Sequence, residues 1–270
     1  MPDSVSTPVL NHTAASAETA IPSCAVLVMS CDKYRDLWRP FFTLFWRYWP
    51  NCPFPLYLGT TGETYNDERV TTIHAGDYPW SKTFRLCLEQ IDTDYVLLLL
   101  EDFFLDEPIA TRDILEHLKL LHELRGTVLR LYPHPGPDAK LPPHSNIGRL
   151  HRLAEYRVSM QPAVWNRMEL LGIVRDDESI WDFESKGTTR SQSSSHGFYS
   201  TYGAVLPYRH VIERGQWFRS AAERYEKEQI GCDFAARPVM TRAQSIFKAV
   251  NARRRRWISA VRKVLLRGRA

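Results

Sequence analysis

The 270-residue sequence has no C-x-x-C pair, and its five cysteines (Cys24, Cys31, Cys52, Cys87, Cys232) are widely spaced and odd in number. Neither a zinc site nor a disulfide framework is expected, and a reducing compartment suits such thiols. Long apolar runs are also missing. Ala25–Met29 and Val96–Leu100 are the longest, far below the ~20 residues that cross a bilayer. There is no G-x-S-x-G, no P-loop and no G-x-G-x-x-G, so the serine-hydrolase, ATPase and dinucleotide-oxidoreductase classes lose support. No repeat recurs at a period of tens of residues, which argues against a solenoid. Residues 1–22 are Ser/Thr/Ala-rich without the apolar stretch of a signal peptide, so a disordered leader is expected and secretion is not. His117 and His122 are five apart on a helix and therefore poor joint metal ligands.

What is present suits a globular α/β domain. Hydrophobic residues make up 44% and aromatics 12%, enough for one substantial core with helices on both faces of a sheet. The net charge is +4, but residues 251–270 carry eight Lys/Arg and no acid, so removing them leaves the rest at −4. A nucleic-acid-binding surface on the domain is thereby disfavoured.

Ala25–Met29 reads as a buried parallel strand ending in the polar Ser30-Cys31-Asp32. Trp38, Phe41, Phe42, Phe45 and Trp49 place five aromatics on one helical face, with Pro40 expected in the first turn. A second strand (54–58) enters the turn at Gly59, and a helix over 80–90 leads to the strand 95–100. That strand ends in Glu101-Asp102, two carboxylates at the edge where open α/β sheets bind ligands. Thr111 is the expected N-cap of a helix to Arg125, followed by a strand over 128–132. Five prolines in 133–146 predict a surface loop. Next come an extended 158–160, a helix over 161–171, an acidic turn over 176–184, a mobile Ser/Gly/Thr-rich 185–197 and a returning strand after Phe198. Residues 213–227 are mixed, helical at most.

Carboxylates at the end of strand 96–100 can hold a divalent ion against a diphosphate, or accept hydrogen bonds from a sugar; an acidic turn is the plain alternative. The series Ala25-Val-Leu-Val-Met-Ser-Cys31, Trp80-Ser-Lys82 and Tyr95-Val-Leu-Leu-Leu-Leu-Glu-Asp102 resembles the donor-binding half of GT-A glycosyltransferases of the family 2 type, over roughly residues 25–210. The resemblance implies a GT-A-like (Rossmann-like) mixed, mostly parallel central sheet flanked by helices. It implies Ser30, Cys31 and Asp32 near the nucleotide base, and Lys82 and Arg85 near donor phosphates or base. Glu101 with Asp102 falls at the D-x-D position, with Asp102 the metal ligand for Mn2+ or Mg2+. The third motif position is phenylalanine, so the second metal-facing acid is absent from it, and Asp106 is the substitute in reach.

Ser179-Ile-Trp-Asp-Phe-Glu184 resembles the element in which inverting GT-A enzymes keep the base that deprotonates the acceptor hydroxyl. An indole offers a stacking platform for a sugar, and burial raises a carboxylate's basicity. Glu184 is the first choice for base and Asp182 the second, both set outside any regular element. The alternative is Trp181 and Phe183 as core anchors with solvated acids. Gln161, Trp165 and Trp181 are the expected acceptor-side residues, with core packing the alternative for Trp165. His196 is a solvated histidine or a phosphate contact.

From Phe247 onward apolar residues recur at helical spacing among the basic ones, the pattern of an amphipathic helix suited to an anionic membrane surface. The expected organisation is a leader (1–22), a domain (23–245) and a basic tail (246–270). The expected activity is transfer of a sugar from a nucleotide-sugar donor to a glycan or glycolipid hydroxyl, as in lipopolysaccharide, capsule or exopolysaccharide assembly, at the cytoplasmic face of a membrane and with no nucleic-acid partner. The incomplete D-x-D leaves a second reading, a catalytically silent sugar-nucleotide or glycan-binding subunit of a membrane-associated complex.

Overall fold

The computed structural model describes residues 21–248. The expected leader, and the tail from residue 249, lie outside the described residues.

β1 (Cys24–Met29) is buried at every position, as a strand covered on both faces must be. A short 3-10 turn leads into α1 (Arg35–Tyr48), whose Trp38, Phe41, Phe42 and Phe45, with Trp49 beyond its end, all face the core. Pro40 is not in the first turn as expected. The helix begins five residues earlier, so Pro40, lacking an N–H, leaves one i→i−4 bond unmade. β2 (Leu56–Thr60), β3 (Thr71–His74), α2 (Trp80–Glu89) and β4 (Tyr95–Leu100) follow. Then come β5 (Phe103–Leu105), α3 (Thr111–Glu123), β6 (Val128–Arg130), β7 (Ala139–Leu141) and β8 (His144–Arg149). The chain continues through β9 (Ala163–Asn166), α4 (Arg167–Ile173), α5 (Ile180–Ser191) and β10 (Phe198–Thr201), and then through β11 (Tyr208–His210), β12 (Ile212–Glu213), β13 (Gln216–Trp217) and α6 (Arg219–Glu228).

Nine strands form one sheet in the order β3-β2-β1-β4-β9-β6-β10-β8-β7. Seven run in one direction and only β8 and β9 oppose them. The mixed, mostly parallel sheet flanked by helices is thus the architecture expected from the sequence. α1, α3 and α6 contribute to the apolar layer on one side; α2, α4 and α5 contribute to the other. β1 feeds both, Val26 and Val28 to one and Ala25, Leu27 and Met29 to the other.

Four local expectations are corrected. The stretch expected as a helix from Gln161 begins as the antiparallel strand β9. Asn166 then caps α4 by accepting a hydrogen bond from the Glu169 N–H at 3.0 Å. The acidic turn and mobile segment are largely one helix, α5. Ser179 and Asp182 start it with a reciprocal capping box, worth about 1 kcal/mol. The proline-rich loop contains the hairpin β7–β8. Thr111 does not cap α3: Ala110 holds that position, and the Thr111 hydroxyl instead accepts from Trp49 Nε1 at 2.8 Å and donates to Asn51.

Candidate active site

β1 and β4 pair in parallel with Met29 opposite Leu100, so the residues that follow each strand emerge side by side at the carboxyl edge of the sheet. Ser30 is buried and accepts a hydrogen bond from Trp38 Nε1 at 2.7 Å. Cys31 is half-buried, and burial together with the nearby Glu101 carboxylate pushes its thiol up. Asp32 turns across to the end of β2, where its carboxylate accepts from the backbone N–H groups of Thr61, Gly62 and Glu63 at 3.1 to 3.2 Å. Desolvation opposes ionisation here. The Thr61 hydroxyl and those three N–H groups outweigh it and hold Asp32 below the usual carboxylate value. Asp32 therefore shapes the β2 loop, and its oxygens are already engaged.

The two acids at the end of β4 have different environments. Glu101 is buried, with its own backbone N–H turned to its carboxylate. Desolvation first, and the neighbouring Asp102 second, raise its pKa well above the ordinary value, against the pull of Arg237. Asp102 has one oxygen, Oδ2, 2.9 Å from His210 Nε2. Its other oxygen is buried and has no hydrogen-bond partner among the described residues. His210 stands there because β11 pairs antiparallel with β5, Phe103 opposite His210, and because the Val211 N–H donates to the Asp102 carbonyl at 3.0 Å. Edge-on contacts with Phe103 and Phe218 hold the imidazole from two sides.

Asp106 is not a second acid at this edge. It pairs with Arg209 at 2.9 Å and with Arg224, tying β11 and α6 to the end of β5. Arg237 makes a bidentate pair with Asp36, both contacts 2.7 Å, and covers the Tyr34 ring, which brings a cation within electrostatic range of Glu101.

The third part of the edge is where antiparallel β9 begins. Gln161 Oε1 accepts from the Tyr208 hydroxyl at 2.6 Å, and Glu184 Oε1 accepts from the Met160 N–H at 2.8 Å. Burial raises the Glu184 carboxyl, opposed by that N–H and by Arg130. Arg130, at the end of β6, is 1% exposed; its guanidinium donates to the carbonyls of Pro135, Tyr156 and Arg157. Burial drives the Tyr208 phenol upward, and Tyr132, Asp102 and Glu184 add to the effect. Tyr208 stacks on Phe103 with ring centroids 4.3 Å apart.

Ser30, Cys31, Glu101, Asp102, Gln161 and Glu184 are thus brought to one edge, and other expected residues are not. Trp165 is 1% exposed within the sheet, edge-on to Phe198; its alternation on β9 turns it into the core, so it cannot meet an acceptor. Trp181 is the opposite case, 73% exposed on the first turn of α5. Arg85 pairs with Asp176 and the Val174 carbonyl, bracing α2 against the segment before α5 rather than facing the carboxylates. Lys82 rests over the Tyr78 ring at 4.2 Å. Asp182, like Glu184, lies on a regular helix and not outside one. It is held by Ser179 and by Lys186 at 3.0 Å, which keep its pKa low and make it a weak base. His210, Tyr208, Arg130 and Arg237 carry no local signal in the sequence: β11 pairs with a strand about a hundred residues earlier, Arg237 pairs with Asp36, 201 residues away, and Arg130 reads as an ordinary strand-end residue.

The donor set can be tested for a divalent ion. Among the described residues no group of three His, Cys, Asp or Glu side chains is disposed to hold a metal. Ions of the Mg2+ type need only one or two protein ligands when phosphate oxygens and water complete the shell. Asp102, with a buried unpartnered oxygen, and His210 fit that arrangement.

No protein-family profile matches the chain, and no curated protein matches it in sequence. Among solved structures it is similar to the mannosyltransferase PcManGT from Pyrobaculum calidifontis in complex with GDP-Man and Mn2+, at 13% identity and TM-score 0.47, over 73% of this chain and 59% of that one. It is also similar to S. aureus TarS 1-349, at 13% identity and TM-score 0.46, over 69% of this chain and 59% of that one. A mycobacterial protein matches at 12% identity and TM-score 0.46, over 82% of this chain and 76% of that one. The chain spans 59% of the length of the first two.

Proposed function

We propose that the chain is a nucleotide-sugar-dependent glycosyltransferase whose reaction centre is the carboxyl edge of the sheet between Asp102 and Glu184. The single observation carrying this reading is that the Tyr208 phenol, which donates to Gln161 at 2.6 Å, is within electrostatic range of both carboxylates, so that two acids of different environment belong to the same edge. Separate acidic groups with separate duties are what single displacement at an anomeric carbon needs.

In this reading Glu184 is the base. Its Oε1 is fixed by the Met160 N–H, among the described residues its Oε2 accepts no hydrogen bond, and burial makes it more basic than a solvated glutamate. It removes the acceptor proton as the acceptor oxygen attacks, and the nucleoside diphosphate leaves toward β1 and β4. Asp102 and His210 would hold a Mn2+ or Mg2+ ion, which supplies charge neutralisation of the leaving diphosphate. Burial and the neighbouring Asp102 raise the Glu101 carboxyl, which lessens its repulsion of an anionic donor. Ser30 and Cys31 line the end of β1 where the nucleotide base would lie, and Lys82 on α2, over the Tyr78 ring, is the cation assigned to the donor phosphates. The acceptor is a glycan or glycolipid hydroxyl, with Gln161 and the exposed Trp181 on its side. No helix among the described residues is long and apolar enough to cross a membrane. Attachment to an anionic membrane surface at its cytoplasmic face would rest on the basic residues beyond 248.

The test is thermal-shift titration of the full chain with a panel of nucleotide sugars, with and without Mn2+ or Mg2+. A ligand at 100 times its Kd adds about 2.7 kcal/mol of stability. A saturable shift with one nucleotide class, lost in Asp102→Asn, is expected. A well-folded protein that responds to no nucleotide sugar would overturn the proposal, and donor binding without turnover by any acceptor would favour a binding subunit.

A further inference from the structure

The opposite edge of the sheet carries a second concave site that the transfer reaction does not use. β6 and β10 begin there, and β8, β9 and α5 end there. A cavity of about 340 Å³ is bounded by Arg125, Arg149, Arg152, Arg157, Ser194 and His196 among others. Arg152 donates to the Gln192 carbonyl, and Arg149 and Arg152 are exposed at the rim. Concentrated positive charge in a hollow is costly unless an anion fills it.

Arg157 makes the case specific. It is 5% exposed, lies flat on the Phe198 ring at 3.7 Å and donates through Nη1 to Ser191, while its Nε is buried with no partner. Desolvation, and then the nearby Arg152, lower its pKa to about 10. A buried guanidinium with an unused N–H beside two exposed arginines is suited to a planar or tetrahedral oxyanion. A second cavity of about 420 Å³ shares Arg125 and His196 with the first and continues past Tyr95, His122, Asn166 and Glu169. The groove therefore changes along its length from guanidinium groups to neutral and acidic hydrogen-bonding groups, and Glu169 pairs with His196 at 3.0 Å where the two meet.

We propose that this groove is a second ligand site, for a small soluble phosphate monoester of a polyhydroxylated molecule. The phosphate lies among Arg149, Arg152 and Arg157, and the hydroxyls lie toward Asn166 and Glu169. The site is independent of the transfer reaction and would persist if that reading failed.

The probe is glucose 6-phosphate, titrated into the full chain by thermal shift against sodium chloride of equal ionic strength and against glucose. A saturable rise in Tm with the phosphate ester alone is expected. In the double variant Arg149→Gln/Arg152→Gln, half-saturation should move up at least tenfold with only a small change in ligand-free Tm, since both side chains are exposed and one hydrogen bond, from Arg152 to the Gln192 carbonyl, is lost. If the double variant melts early, phosphorus NMR line broadening of glucose 6-phosphate on the wild type and on Arg149→Gln alone decides. Broadening that is equal in both overturns the proposal. So does an absent saturable response, an undiminished response in the double variant, or binding confined to vesicles containing phosphatidic acid.

Discussion

His210 Nε2 lies 2.9 Å from Asp102 Oδ2, and the backbone N–H that follows the histidine donates to the aspartate's own carbonyl. Side chain and main chain of this segment thus hold the same residue, one at its carboxylate and the other at its backbone carbonyl. Replacing His210 by Ala should remove the side-chain half and spare the main-chain half. We expect a fall in kcat of about 10²-fold, an increased requirement for Mn2+ or Mg2+, and an almost unchanged Tm, read from metal titrations of initial rate. An unaltered metal requirement would separate His210 from the ion.

Glu184→Gln should lower turnover by about 10²- to 10⁴-fold with donor affinity retained. Burial raises the wild-type carboxyl, and the reaction needs its ionised form. The acid limb of kcat/KM should therefore fall at higher pH than an unperturbed glutamate would give, and should vanish in the variant. A pH profile from 4 to 9 checks both.

Asp32 gives the opposite sign. Its folded-state pKa is depressed, so its contribution to stability is complete above the unfolded value of about 3.9 and is lost as pH falls through the folded value. Asp32→Asn should therefore lower Tm at neutral pH, with the gap from wild type closing in strong acid. A constant gap at all pH values would assign the loss to packing.

The two tryptophans offer a contrast. Trp165→Ala opens a cavity in a closed layer and should cost about 3–5 kcal/mol. Trp181→Ala should leave Tm unchanged and raise the acceptor KM severalfold. Equal acceptor kinetics in Trp181→Ala would remove that side chain from the acceptor site.

The elements most legible in the sequence are those with an unbroken apolar run or a continuous apolar face. β1 and β4 read directly because every position is apolar, and α1 because five aromatics share a face. β9 was misread because Ala163, Val164, Leu170 and Leu171 mimic helical spacing across a strand–helix junction. Asn166, three residues before Glu169, was the missed marker of that junction. α5 was hidden in the same way, although Ser179 and Asp182 spelled out its cap. In the site, the acids following β4 and Glu184 were visible as local patterns. Their partners were not, since His210 and Tyr208 reach them only through the pairing of β11 with β5, and no local period encodes that.

The ribbon made by β5 and β11 also sets an order in time. Asp102 and His210 are 108 residues apart, so a chain emerging from the ribosome has the β1–β4 framework long before the segment that completes its edge. Glu101 and Asp102 must then wait, adjacent and like-charged, until residues 208–211 dock. A nascent chain stopped near residue 200 would hold the sheet's first half without a finished reaction centre, and maturation of the site becomes one of the last events of folding.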